Sequence, residues 1–553
     1  MKKDLVKILG TALSSMSVSP LPQIDVEIPK VEAHGHVATP LAMGLAKTLR
    51  QPPRRIAEDI VAAIKDNPLF EKVEIAGPGF INVTFTNEYL RASLLHLLEG
   101  DASMLRVDAG NGRRALVEFV SANPTGPLHI GHARGAAVGN ALCNLLQESG
   151  FSVEREFYIN DAGRQVLLLG ESVFARYMHL CGFEGYAFPE EGYRGDYIED
   201  IAREFREKEG DHYSRVAKEE GPRKGIIAAR EFAYSKMLDL IRKDLELFKV
   251  TPYDRWVSER SLYDKGEVAG AISFLKEKGC MYEKDGALWF RSTDFTDDKD
   301  RVVIKSDGAN TYFASDIAYH KDKLDRGYDI IIDIWGADHH GYIPRIESVM
   351  RAFGYDSSRF RVILVQMVNL LKHGEPFQMS KRTGAFVALS EVVDLVGADT
   401  TKFIFLTRKS DSHLDFDIDV VTAQSAENPV YYVQYANARI NSILANARQK
   451  GLETERFEGA DLSPLSAPEE LEIIRKLLSY PMVLEGAARS YEPHHITFFL
   501  QQLAGIFHPY YHKYKVVGDD AAVTAARLAL CAGIKKVLHD ALTILGVTAP
   551  ERM

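Results

Sequence analysis

The stretch from residue 115 to residue 159 constrains the fold of this chain more than any other. A mostly apolar run at 115–120 has the pattern of a buried strand, and a loop with Pro124, Gly126 and Pro127 follows it. An Ala/Leu-rich helix then extends to Leu146, and residues 151–159 have the pattern of a further strand. This strand–loop–helix–strand order predicts the beginning of a doubly wound α/β domain with a parallel sheet.

The loop after the first strand ends in His129-Ile130-Gly131-His132, at the start of the predicted helix. Doubly wound sheets bind ligands at this point, and the free N–H groups of a helix start attract phosphate. Gly131 lets a flat ring approach the backbone, while His129 and His132 can donate hydrogen bonds to a triphosphate from one helix face. In isolation, the tetrapeptide is more simply a helix start with two solvent histidines, and a zinc site would need a third ligand that is not nearby.

A second polar loop follows a later predicted strand and contains Met379-Ser380-Lys381-Arg382. Cations on a loop can close on a leaving group as its negative charge develops. Taken alone, this segment is a basic surface turn more often than a binding site.

In this order, the two loops resemble the ATP-handling loops of class I aminoacyl-tRNA synthetases. Four further segments, at 117–124, 158–165, 311–319 and 428–439, are similar to arginyl-tRNA synthetases, and the resemblance extends from about Gly77 to Met553. The usual second loop of the class is Lys-Met-Ser-Lys-Ser, and here Gln378 and Arg382 replace its first and last residues. Either Lys372 or Arg382 could take over the role of the missing lysine.

The resemblance assigns four groups of site residues. The catalytic groups that supply positive charge are His129, His132, Lys381 and Arg382; the ATP-binding residues are Gly131, Gly336, Asp338, His339, Met379 and Ser380; the arginine-binding residues are Glu118, Ser121, Asn123, Tyr312 and Asp316; and the tRNA-binding residues are Asn437, Arg439, Tyr510, Tyr511 and His512. The roles of Asp338 and His339 stay divided between the ribose of ATP and the amino acid.

An arginine pocket also agrees with the chemistry of the residues. A guanidinium group prefers a planar carboxylate partner and an aromatic face, and Tyr312 and Asp316 are four residues apart, so they share a face if this segment is a helix. The alternative is an ordinary amphipathic helix with a capping aspartate. Glu118, which ends a buried strand, offers a carboxylate to the cationic α-amino group of a free amino acid.

Aromatic and basic side chains alternate at 507–515, within a C-terminal segment whose apolar residues recur at helical spacing. Unpaired bases stack on aromatic faces and cations follow the phosphate backbone, so this segment is a candidate anticodon-binding surface. The alternative is an aromatic core cluster with a basic edge.

Bulk properties exclude several classes of protein. The 553 residues carry a formal net charge of -10 with a pI of about 6.0, which argues against nucleic-acid binding driven by overall charge. The four cysteines form no C-x-x-C pair, so we predict no structural zinc and no other metal site.

Lys2 and Lys3 precede an apolar stretch, but its helical spacing predicts an amphipathic helix rather than a signal peptide, and no apolar run is long enough to cross a bilayer. We therefore expect a cytoplasmic, monomeric protein.

The sequence predicts four regions in chain order. They are an N-terminal α+β domain that contacts tRNA at 1–105, a Rossmann-like catalytic domain with helical insertions at 112–375, the second loop with a connecting region at 376–425, and an all-helical anticodon-binding bundle at 426–553. Further strands are predicted at 80–85, 301–304, 330–335 and 362–368, and helices fill most of 165–247.

The resemblance implies a two-step reaction with L-arginine, ATP and tRNA(Arg) as partners and Mg²⁺ accompanying ATP. Arginine attacks the α-phosphorus of ATP to form arginyl-adenylate and pyrophosphate, and the 2′-hydroxyl of the terminal adenosine of tRNA then takes the arginyl group. We expect the first step to require bound tRNA. The alternatives are another class I synthetase, a tRNA-binding regulator without catalysis, and a zinc hydrolase built on the histidines.

Overall fold

A small α+β unit begins the chain in the computed structural model, which describes residues 1–100, 102–377 and 387–553. Its strands pair antiparallel in the order β1-β3-β2. Helix α1 buries Leu5, Leu9 and Leu13, so the predicted amphipathic helix is confirmed. The elements are α1 (Lys2–Ser15), β1 (Val37–Thr39), α2 (Leu41–Leu49), α3 (Pro53–Ile64), β2 (Phe70–Ala76), β3 (Phe80–Phe85) and α4 (Asn87–Glu99).

A five-stranded parallel sheet with helices packed on it forms the middle of the chain. The elements are β4 (Arg114–Glu118), α5 (Ile130–Glu148), β5 (Ser152–Ile159), α6 (Arg164–Leu180), α7 (Asp196–Glu209), α8 (His212–Glu220), α9 (Arg223–Leu247), β6 (Arg255–Ser258), α10 (Glu259–Asp264), α11 (Glu267–Glu277), β7 (Met281–Lys284), β8 (Ala287–Phe290), β9 (Arg301–Ile304), α12 (Tyr312–Asp325), β10 (Ile330–Gly336), α13 (Ile343–Ala352) and β11 (Phe360–Val365). The strand order is β11-β10-β4-β5-β6, and every neighbouring pair is parallel. The predicted doubly wound α/β fold is therefore confirmed, with β4 at its centre.

The strand predicted at 301–304 exists but lies outside this main sheet. It is β9, which pairs antiparallel with β8 in a separate three-stranded sheet of order β7-β8-β9. A four-residue strand pattern does not specify its partner, because pairing depends on contacts that are distant in sequence.

The part of the chain from Val368 to Thr422 contains strands that the sequence did not predict. Its elements are β12 (Val368–Lys372), β13 (Glu375–Pro376), α14 (Leu389–Val396), α15 (Ala398–Phe405), β14 (Leu414–Asp417) and α16 (Ile418–Thr422). Leu414 and Phe416 are buried and alternate with Asp415 and Asp417, but this pattern is too short to distinguish from a loop. The strand predicted at 362–368 ends at Val365, before β12 begins.

Four long helices form the C-terminal bundle, as predicted: α17 (Pro429–Gln449), α18 (Pro468–Ser490), α19 (His494–Lys513) and α20 (Ala521–Ile544). The bundle packs against the N-terminal unit, and Lys2 pairs with Glu485 at 2.5 Å across this contact. Within the described ranges, the chain has no helix with the length and apolar character required to cross a membrane.

Candidate active site

A cavity of about 800 Å³ opens at the carboxyl ends of β4 and β10, where a parallel sheet is expected to bind its ligands. Eleven of the residues predicted from the sequence line it: Glu118, Ser121, Asn123, His129, Gly131, His132, Tyr312, Asp316, Gly336, Asp338 and His339. These residues come from three separate parts of the chain, so the fold brings the predicted ATP and arginine residues to one place.

The backbone turns sharply at the end of β4. Val120 and Ser121 have φ angles of 69° and 40°, and the N–H of Ser121 donates to the carbonyl of Phe119 at 3.0 Å. A β-branched residue rarely adopts a positive φ, and such strain persists where the surrounding structure enforces it, often at functional sites. The turn directs the Ser121 hydroxyl to Glu118 Oε1 at 2.7 Å, while the same hydroxyl accepts from the N–H of Tyr158 at 3.1 Å.

His129 and His132 cap the first turn of α5. The N–H of Gly131 donates to His129 Nδ1 at 3.1 Å, and the N–H of His129 donates to His132 Nδ1 at 3.3 Å. Each Nδ1 is therefore an acceptor, which places the proton of the neutral ring on Nε2. A side chain at position 131 would meet the ring of His129 within 2.9 Å, so this histidine itself requires the glycine.

The two histidine rings do not carry the positive charge expected from the sequence. Burial lowers the pKa of His129, and burial together with the neighbouring ring lowers the pKa of His132 to about 3. At neutral pH these shifts make both rings neutral N–H donors. They contradict the prediction that the two histidines supply positive charge.

Two buried residues that the sequence analysis missed hold α5 in place. Asp244 on α9 accepts from the N–H of Leu128 at 3.0 Å, immediately before His129. Arg134 is fully buried and donates to the carbonyls of Gln366, Ser412 and Lys409 at 2.7–3.0 Å. No motif identifies either residue, because each acts through a partner more than a hundred positions away.

Tyr312 and Asp316 share one face of α12, as predicted. Tyr312 is 61% exposed at the rim of the cavity, whereas Asp316 lies deeper. Burial raises the pKa of Asp316, and the hydrogen bond that Tyr342 donates to Asp316 Oδ2 opposes the rise. The carboxyl group is thus a poorly solvated acceptor, which favours binding of a cation.

Glu118 has more partners than the sequence suggested. It is almost fully buried and accepts hydrogen bonds from Lys323 Nζ at 2.5 Å and from the Tyr319 hydroxyl at 3.0 Å. The carboxylate is therefore already hydrogen-bonded to other side chains of the protein. Asn123, by contrast, is exposed at the cavity mouth.

The end of β10 supplies the opposite wall of the cavity. Asp338 and His339 are exposed, and their side chains approach to 3.4 Å. A side chain at Gly336 would meet Asp338 Oδ1 at 2.4 Å and would displace the exposed Asp338 side chain from its present position. The predicted residues of the second loop, Gln378, Met379, Ser380, Lys381 and Arg382, lie outside the described residues.

A smaller cavity of about 480 Å³ lies in the C-terminal bundle. Arg439 stands between two tyrosine rings there, 4.7 Å from the centroid of Tyr435 and 4.6 Å from that of Tyr511. His512 is exposed beside this cluster. This combination of a cation and aromatic faces agrees with the predicted surface for unpaired bases.

Two of the residues predicted to bind tRNA instead belong to the core of the bundle. Asn437 is 1% exposed, and its amide donates to the carbonyl of Pro550 at 2.8 Å. Tyr510 is also 1% exposed and donates to Glu470 at 3.4 Å. Their burial corrects the prediction for direct base contact, because neither side chain reaches the surface.

Three family models together match nearly the whole chain. They are "Arginyl tRNA synthetase N terminal domain" at residues 3–85, "tRNA synthetases class I (R), catalytic domain" at 94–446, and "DALR anticodon binding domain" at 433–553. The matches follow the order in which the α+β unit, the parallel sheet and the helical bundle occur.

Similar proteins carry the same assignment. An arginine–tRNA ligase of Citrifermentans bemidjiense is 50% identical, with 96% of this chain and 95% of that protein covered, and one of Syntrophotalea carbinolica is 48% identical over the full length of both. The crystal structure of a putative arginyl-tRNA synthetase from Campylobacter jejuni is 38% identical and matches with a TM-score of 0.78, covering 85% of this chain and all of that one. The arginyl-tRNA synthetase of Thermus thermophilus, 21% identical over the full length of both chains, has the same fold with a TM-score of 0.77.

The order of the domains, the cavity at the end of the parallel sheet and these full-length similarities agree. The chain belongs to the arginyl-tRNA synthetase family of class I aminoacyl-tRNA synthetases.

Proposed function

We propose that this enzyme is an arginine–tRNA ligase that activates L-arginine with ATP and transfers it to the terminal adenosine of tRNA(Arg). The observation that carries the proposal is the single cavity that is lined both by the class I histidine pair and by the half-buried carboxyl group of Asp316 on α12. The near-complete coverage of relatives named arginine–tRNA ligase supports the same reaction.

Asp316 is the proposed partner of the guanidinium group. Its Oδ2 already accepts from Tyr342, which leaves acceptor positions on both oxygens for a forked donor. Tyr312 at the rim offers an aromatic face to the same group. Glu118, with Ser121 and Asn123, is proposed to receive the α-amino and carboxylate end.

For the first step we propose that His129 and His132 bind the triphosphate through Nε2–H. Their neutral rings donate hydrogen bonds to phosphoryl oxygens as negative charge develops there, so positioning and hydrogen bonding carry most of the catalysis. Lys381 and Arg382 are proposed to accompany the pyrophosphate. Gly336, Asp338 and His339 are proposed to contact the adenosine, with Gly131, Met379 and Ser380 near the ATP.

Mg²⁺ is proposed to arrive with ATP and to neutralise phosphate charge. At the cavity, Glu118 and Asp333 are bonded to Lys323 and Asp316 to Tyr342, whereas Asp338 is exposed and one oxygen of Glu259 has no hydrogen-bond partner among the described residues. Phosphate oxygens and water are the proposed ligands of Mg²⁺. We retain the prediction that no structural zinc is needed. Glu492, His494 and His495 bring ligand atoms within 4.8 Å of one another, but Glu492 is shared with Lys409 at 3.4 Å.

The tRNA is proposed to contact two regions. Arg439, Tyr511 and His512 are the proposed contacts for unpaired bases in the C-terminal bundle. A second cavity of about 950 Å³ shares Tyr312 with the active site and is lined by basic residues that include Arg164 and Lys305, which suits the anionic 3′ end. Location in the cytoplasm and a monomeric state remain proposals.

The test is aminoacylation of tRNA with each of the twenty amino acids, with Asp316→Ala measured alongside. We expect charging by arginine alone and its loss in the variant. Charging by another amino acid would overturn the pocket assignment, and tight tRNA binding without any charging would favour a regulator.

A further inference from the structure

A cluster of buried charges lies at the proposed arginine end of the cavity, and Glu118 is its one member with a role in the proposed reaction so far. At its centre is Lys323, on α12, whose side chain is fully buried. Its ammonium group donates to Glu118 Oε2 at 2.5 Å and to Asp333 Oδ1 at 2.7 Å. One buried cation therefore bridges two carboxylates that come from different strands, β4 and β10.

The contacts of Glu118 leave one acceptor position for a ligand. Oε2 accepts from Lys323 and from the hydroxyl of Tyr319, and Oε1 accepts from the hydroxyl of Ser121. A carboxylate has about four acceptor positions, so Oε1 retains one. Glu118 lines the cavity, where that position is available to an incoming ammonium group.

The ionisation of Glu118 depends on the cation beside it. Burial and the like charge of Asp333 raise the pKa of Glu118, and Lys323 opposes that rise. Without Lys323 the two carboxylates would share a proton, and it would fall on Glu118 because the contact with His320 still lowers the pKa of Asp333. A protonated Glu118 would be a weak acceptor for the substrate.

The other charges near the cluster have partners of their own. His320 has the carbonyl of Asp316 at 2.8 Å from Nδ1 and Asp333 Oδ2 at 3.1 Å from Nε2, so both ring nitrogens already have a partner. Glu156, which also accepts from Tyr319, is bonded to Arg326 at 2.5 Å. Because Arg326 pairs with Glu156, Lys323 is the cation that pairs with Glu118 among the described residues.

We propose that Lys323 is a positioning residue that keeps Glu118 ionised and aligned to accept the α-ammonium group of arginine. The inference rests on the proposed role of Glu118. Asp316 and Lys323 are seven residues apart on α12 and so lie on one face of it. Helix α12 thus carries both Asp316, the proposed partner of the guanidinium group, and Lys323, which keeps Glu118 ready for the α-ammonium group.

The experiment compares Lys323→Met with Lys321→Met in ATP–pyrophosphate exchange with tRNA present. Lys321 lies on the same helix but pairs with Asp325 near the surface, so its loss controls for helix effects. For Lys323→Met we expect the KM for arginine to rise between about tenfold and a hundredfold, with kcat and the KM for ATP within about threefold of the parent values. The acid limb of kcat/KM for arginine should move to higher pH, because Glu118 then titrates later.

Two further variants separate positioning from a purely structural role. Adding Asp333→Asn to Lys323→Met removes the competing carboxylate, so the KM for arginine should partly recover. In Asp333→Asn alone, Glu118 is the one carboxylate that still pairs with Lys323, so its pKa should fall and the acid limb should move to lower pH. This variant tests the role of Lys323 even if Lys323→Met does not fold. An unmoved acid limb in both single variants, or a double variant worse than Lys323→Met, would overturn the inference.

Glu118→Gln separates the proposed role of Glu118 in binding arginine from the proposed role of Lys323 in positioning Glu118. An unchanged KM for arginine in that variant would reject the proposed role of Glu118. A raised KM in Glu118→Gln, together with an unchanged KM and pH profile in Lys323→Met, would reject the role of Lys323 alone.

Discussion

The carboxyl group of Asp244 provides a sharp test of how the helix that carries the histidine pair is held. Burial raises its pKa from the ordinary 3.8 to about 6, and the N–H of Leu128 opposes the rise only in part. A raised carboxyl pKa means that the folded protein binds more protons than the unfolded chain between these two values, so stability is lost as the pH rises through this window. Relative to strongly acidic pH, where the carboxyl is protonated in both the folded and the unfolded state, the raised pKa lowers stability by about 2 kcal/mol at pH 5 and about 3 kcal/mol at pH 8.

Asp244→Asn keeps an oxygen that can accept from Leu128 but carries no charge. Any new cost of the amide group is independent of pH. The informative quantity is therefore how the difference in unfolding free energy between variant and parent changes with pH. The stability difference between variant and parent should move in favour of the variant by about 1 kcal/mol from pH 5 to pH 8, which is about 1 °C in Tm at about 2.1 cal/mol/K of unfolding entropy per residue over the whole chain.

Thermal unfolding followed by intrinsic fluorescence at the two pH values measures this shift. Asp239→Asn, on the same helix but largely exposed, is the matched control and should show no pH-dependent difference. If the Tm difference between Asp244→Asn and the parent is the same at both pH values, or moves against the variant as the pH rises, the buried-carboxylate reasoning is refuted.

Three other variants test separate parts of the structure. Tyr342→Phe removes the hydrogen bond to Asp316 and should raise the KM for arginine about tenfold while leaving that for ATP unchanged, as measured by pyrophosphate exchange. Arg439→Ala and Tyr511→Ala should each raise the KM for tRNA about tenfold in aminoacylation, without changing the KM for arginine, and only Arg439→Ala should weaken the dependence on salt. Arg134→Met removes the donor to the carbonyls of Gln366 and Ser412 and one of two donors to that of Lys409, and should destabilise the protein by about 3 kcal/mol, seen as a lower Tm.

Features set by near neighbours in the chain could be predicted from the sequence. The strand β4, the helix that begins beside His129, and the shared face of Tyr312 and Asp316 all depend on patterns within a few residues. The parallel sheet followed from the alternation of such elements, because parallel strands need helical connections between them.

Features set by distant contacts could not be predicted. Lys323 is 205 residues from Glu118, and Asp244 is 116 residues from Leu128. The strained turn at Val120 was also missed, since a β-branched residue gives no signal for a positive φ.

The bundle illustrates the same limit on a single helix. Tyr510 and Tyr511 are adjacent and chemically identical, yet Tyr510 is in the core and Tyr511 faces Arg439. Successive residues on a helix point about 100° apart, so only the packing of α19 decides which tyrosine is available to a base.

The charges under the cavity explain how a buried site can accept a cationic amino acid. The carboxyl groups of Glu118, Asp333 and Asp316 outnumber Lys323, the ammonium group that pairs with two of them. Arginine carries two cationic groups and one carboxylate, so its net charge of about +1 compensates part of that negative excess. Because buried charges are costly unless paired, an amino acid with a neutral side chain would not compensate it. We therefore expect charge to favour a cationic side chain, and Asp316, the proposed partner of that side chain, to distinguish a planar guanidinium group from an ammonium group.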